Sequence, residues 1–126
     1  ANEFVNNFVT KKFDLALLLS EKLFREGFEA ITLLRFLTNY LQKLYQARIE
    51  IDIKGTSFDE AIKNQRLFFK AEAIFRLALK NLSANFLAKI LADLQILEIK
   101  MKTSSITPKL IFNSFIQGLI EEKTNL

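Results

Sequence analysis

The chain has 126 residues and a net charge of +4, with half of its residues hydrophobic and a quarter charged, a balance that fits one folded domain and excludes disorder. It contains no histidine, cysteine or tryptophan, which removes an imidazole base, a thiolate nucleophile, any disulfide framework and the usual zinc, copper and haem ligand sets. Its 13 phenylalanines call for wide helix–helix spacings or for apolar surface kept for a partner.

Helical periodicity starts at once. Phe4, Val5, Phe8 and Val9 repeat at four-residue spacing and predict a short first helix. A second is expected from Phe13 to Glu26 on Leu15, Leu18, Leu19 and Leu23, with Gly27 free to take the left-handed position that ends it. The apolar run from Leu15 to Leu19 is broken by Ser20-Glu21-Lys22, well short of a membrane span, and no signal-peptide pattern opens the chain. The longest periodic stretch resumes at Phe28, with Ala30, Leu33, Leu34, Leu37, Leu41, Leu44 and Arg48 near one stripe. Ile31, Phe36, Tyr40 and Ala47 widen that stripe enough to touch more than one neighbouring helix. Ile49, Ile51 and Ile53 alternate with polar residues as a strand would. A lone strand would leave its backbone groups unpaired, so the helix is expected to continue to about Ile51 and fray before Lys54-Gly55.

Ser57 with Glu60 three residues on is a capping box, and it predicts a short helix from Phe58 to Asn64. The next is expected from Phe69 to Asn81, and Ser83 then caps a strong helix carried by Phe86, Leu87, Ile90, Leu91, Leu94, Leu97 and Met101. Thr107-Pro108 opens the last helix, with proline at the first position where its missing N–H does no harm, and residues Glu121 to Leu126 read as a fraying end. Breakers fall at joints or in the last helix, so the fold class is all-α, a compact array of about seven helices.

The chemistry available is narrow. Three widely separated glycines cannot build a phosphate-binding loop, so no nucleotide cofactor is expected in this domain. The pairs Asp59/Glu60 and Glu121/Glu122 sit at a helix start and a tail, where capping and solvation account for them. Glu98 and Lys102 form an i,i+4 surface pair that could instead reach a partner. The run Phe68-Phe69-Lys70 reads most simply as two rings filling a helix corner while the lysine reaches water. In a sharper reading part of the aromatic pair faces a partner subunit. The joint around Asn64-Gln65-Arg66 also has a helix-turn-helix-like outline. Lys63, Arg66, Lys70, Arg76 and Lys80 would be its nucleic-acid contacts, although Leu67-Phe68-Phe69 is apolar where base-reading side chains are wanted.

In order along the chain, these residues resemble the C-terminal domain of the delta subunit of bacterial DNA polymerase III, a clamp-loader subunit. The likeness rests on Lys12-Phe13-Asp14-Leu15-Ala16 running to Glu26-Gly27, and on the long helix with Ile31, Leu34, Leu37, Leu41, Leu44, Ala47 and Arg48. It continues in Phe68-Phe69-Lys70 and in Glu98, Lys102, Thr103 and Ser104. Two features depart from the family: the strand-like Ile49 to Ile53 stretch and the phenylalanine load. The resemblance implies a single helical collar domain over residues 1–126, the C-terminal part of a longer cytoplasmic protein. It further implies no reaction or cofactor of its own within a DNA-directed DNA polymerase assembly. Its expected partners are the other clamp-loader subunits through the collar, and the sliding clamp and primer–template DNA through the whole complex. A small basic nucleic-acid-binding domain is the alternative.

Overall fold

The computed structural model describes residues 1–124, and among them there are seven helices and no strand. They are α1 (Asn2–Val9), α2 (Phe13–Arg25), α3 (Ala30–Asp52), α4 (Phe58–Lys63), α5 (Phe69–Asn81), α6 (Ala84–Thr103) and α7 (Pro108–Thr124). The all-α array expected from periodicity is therefore present. The alternating isoleucines after Ala47 remain helical, because α3 runs on to Asp52 before Gly55 turns the chain at φ +72°. At the other end, Glu121–Lys123 belong to α7, which corrects the expected fraying there; residues 125 and 126 lie outside the described residues.

Local signals explain most of the joints. Gly27 stands at φ +95° and completes a Schellman ending of α2: its N–H bonds the Phe24 carbonyl, and the Phe28 N–H reaches back to Leu23 at 2.9 Å. Ser57 accepts from the Glu60 N–H at 3.2 Å and Ser83 from the Phe86 N–H at 3.1 Å. Only half of the capping box forms, since no bond joins the Glu60 carboxylate to the Ser57 N–H among the described residues.

The long helix α3 is the axis. It packs against α1, α4, α5, α6 and α7, which is what its broad apolar face requires, and Leu33, Leu37, Leu41 and Leu44 on it are fully buried. On one flank α2 lies between α1 and α7, and much of the phenylalanine load is used there. Ring centroids of Phe13 and Phe8 are 5.2 Å apart, Phe4 and Phe112 5.7 Å, and Phe112 and Phe24 5.8 Å, in tilted or edge-on arrangements. Ser20, the one buried polar residue among those described, ties the same flank together. Its Oγ lies 2.8 Å from both the Leu17 carbonyl and the Asn113 side-chain oxygen position. A hydroxyl has one proton to give, so with the Asn113 amide turned over, its NH₂ donates to Ser20 while Ser20 donates to Leu17.

On the opposite flank, Arg48 joins α3 to the end of α5. Its Nη1 donates to the Leu79 carbonyl at 2.8 Å, while the same guanidinium holds Asp52 at 3.1 Å. Leu79 lies in the last turn of α5, where carbonyls have no helical N–H to meet, so Arg48 caps one helix from the side of another.

Candidate interaction surface

The joint between α4 and α5 is where the structure departs most from the expected packing. After Lys63 the chain turns through Arg66, a non-glycine residue held in the left-handed region at φ +53°. Phe68 is then extended (φ −62°, ψ 142°), and α5 begins only at Phe69. Leu67 is the residue that packs against the core at this corner. Phe68 and Phe69 are 86% and 79% exposed, so the helix-corner filling by both rings is overturned. They are the two most exposed rings among the described residues, left in water side by side next to a left-handed turn, where apolar surface of this kind marks an interaction site.

Beside the corner lies a groove of about 700 Å³ bounded by α1, α3 and the start of α5. Phe36, Tyr40, Leu67, Phe68, Ala71 and Ile74 supply its apolar lining; Asn2, Asn6 and Asn39 supply amides; Lys43, Arg66 and Lys70 supply charge. No carboxylate of the described residues lines it. Tyr40 stacks edge-on against the buried Phe75 with centroids 5.8 Å apart, and its hydroxyl is buried without a hydrogen-bond partner among the described residues. Burial pushes the Tyr40 phenol up to about 12.

The other expected site residues separate into two groups. Glu98 and Lys102 do form their pair, at 3.4 Å, but Arg35 of α3 also reaches Glu98 at 3.4 Å, so the carboxylate links α3 to α6. Desolvation raises the Glu98 carboxyl, yet hydrogen bonds and attraction from Arg35 and Lys102 outweigh it and hold the group below the usual carboxylate range. Of the basic residues around the joint, Arg76 is engaged within the fold. It bonds Asp59 at 2.6 Å and Glu72 at 3.4 Å, and the Asp59 hydrogen bond leads in holding its guanidinium above its ordinary value. Lys80 and Arg76 both stand over the Phe58 ring. Lys63, Arg66 and Lys70 are exposed and make no ion pair among the described residues.

Sequence reasoning did not find the groove, because its walls come from three distant segments. Arg35 was missed for the same reason: its partner is 63 residues away. Among the described residues no group of three or more potential metal ligands comes together, and no helix is long and apolar enough to cross a membrane. Comparison with family models, curated proteins and solved structures gave no match.

Proposed function

We propose that this chain is an assembly domain that works by binding other proteins, and that it is the collar domain of a clamp-loader delta subunit. The observation that carries the assembly role is the adjacent Phe68–Phe69 pair, the two most exposed large apolar side chains among the described residues. Aromatic anchors of this kind stay in water only at a cost in solubility, and they supply much of the free energy at protein interfaces. The clamp-loader assignment rests on the ordered run of resemblances from Lys12 to Ser104. In such a complex the domain holds its subunit in register while partner subunits bind ATP.

The test is to mix the domain with the remaining clamp-loader subunits and measure mass in solution by light scattering after gel filtration. Entry into a stoichiometric complex is expected. A domain that stays monomeric under conditions that assemble the other subunits rules the role out. The unpaired Lys63, Arg66 and Lys70 favour a second reading, contact with duplex DNA. That reading requires binding by the domain alone that weakens with salt and is lost when the three are changed to alanine.

A further inference from the structure

The groove beside the aromatic corner has a polarity that narrows what can occupy it. Its base is aliphatic and aromatic, its rim carries Lys43, Arg66 and Lys70, and no carboxylate of the described residues lines it. One end opens at the N-terminus of α5, which has no side-chain cap: Phe68 sits at the cap position, where Ser, Thr, Asp or Asn would normally serve. The Phe69 and Lys70 N–H groups consequently have no acceptor among the described residues. That helix end carries the positive pole of its dipole and two free donors, both suited to a carboxylate. The unpaired cations and the uncapped helix are independent features, and both ask for negative charge.

We propose that this groove docks an acidic amphipathic segment of a partner protein. A bulky apolar side chain of that segment enters between Phe36, Leu67 and Ile74, and its flanking carboxylates meet Lys43, Lys70 and the free N–H groups of α5. The three asparagine amides on the rim suit an extended peptide backbone, which offers both donors and acceptors. A single-stranded nucleic acid fits less well, because it needs a continuous row of exposed aromatic faces along a basic track, and of the three rings lining this groove Tyr40 is held edge-on against Phe75, which leaves Phe36 and Phe68 among three aliphatic side chains. The inference rests on the corner being a protein contact and is independent of the clamp-loader assignment.

The experiment is selection from a random-sequence peptide library displayed on phage, with the 126-residue chain as bait, followed by affinity measurement on synthetic copies of the enriched peptides. The expected result is enrichment of sequences in which an aromatic or aliphatic anchor is flanked by Asp or Glu. Their affinity should fall at least ~tenfold in the Lys43→Glu/Lys70→Glu double variant, where like charges now meet, and should fall as salt rises. Lys54→Glu/Lys109→Glu makes the same change in net charge elsewhere and should leave binding unchanged. Circular dichroism confirms that each variant is folded. The absence of enrichment overturns the proposal, as do enriched peptides without acids, equal losses in both double variants, or oligothymidylate competing more strongly than the peptides. If selection fails while subunit assembly still depends on Phe68 and Phe69, the groove proposal falls and the assembly reading stands.

Discussion

Arg48→Met is the sharpest probe of how this array holds together. Methionine keeps an unbranched apolar stem against the same neighbours, so packing changes little and the loss isolates the guanidinium. Two interactions go. The first is the charge-assisted bond from Nη1 to the Leu79 carbonyl at 2.8 Å, made by a side chain only 17% exposed to a residue that is fully buried. Bonds of that kind contribute about 1.5–3 kcal/mol, and losing one leaves a buried acceptor unpaired. The second is the i,i+4 pair with Asp52, which is 43% exposed and adds about 0.3–0.5 kcal/mol. The expected loss is about 2 kcal/mol. For a domain of this length that corresponds to a fall in Tm of about 8 °C, read by circular dichroism, with a matching shift in the urea midpoint at constant slope. Asp52→Asn separates the two parts and should cost no more than about 0.5 kcal/mol. The reasoning is refuted if Arg48→Met melts with the wild type, or if Asp52→Asn costs as much as Arg48→Met.

Three further outcomes are expected. Tyr40→Phe removes a buried hydroxyl that has no partner among the described residues, so the variant should be as stable as the wild type or more stable by up to about 1 kcal/mol near neutral pH. The Tyr40 phenol is raised from 10.0 to about 12, so the folded state holds that proton more tightly than the unfolded chain does. Its contribution is complete below pH 10 and is lost as pH rises from 10 towards 12; in alkaline melts Tyr40→Phe should lack that component. Ser83→Ala deletes the cap of α6 and should cost about 1 kcal/mol in urea unfolding, with Ser83→Asp restoring most of it. Phe68→Ser/Phe69→Ser should leave stability within about 0.5 kcal/mol of the wild type while raising solubility, and a loss of several kcal/mol would mean that the rings are packed after all.

Element by element, what could be foreseen follows from how local the cause is. The helices announce themselves through apolar spacing, Ser57, Ser83 and Pro108 mark their starts, and Gly27 and Gly55 mark turns, because each effect acts within a few residues. The all-α fold and most boundaries were therefore legible. Phe68 shows where that legibility stops. It lies seven residues before the buried Phe75, in phase with the apolar stripe formed by Phe75, Ala78, Leu79 and Leu82, so on spacing alone it belongs to the core. Only the left-handed turn at Arg66 and the extended Phe68 backbone break the phase and send the ring outward, and nothing in the local composition distinguishes the two outcomes. The Glu98–Arg35 bridge, the Arg48 cap on Leu79 and the groove itself depend on the way α3 lies against α5 and α6, which no single segment encodes.

The run of rings through Phe13, Phe8, Phe4, Phe112 and Phe24 has a consequence for how the molecule is made. It joins the first two helices to the last one, so a ribosome releasing the chain from its N-terminus exposes Phe4, Phe8 and Phe24 long before Phe112 exists to cover them. Until α7 emerges, the early segments can hold helical turns but not their final burial, and α3 with α6 must supply whatever collapsed body is there to wait. Stop codons or proteolytic cuts before Phe112 therefore endanger the opposite end of the chain, and the half-made product carries a sticky aromatic face that a chaperone would recognise.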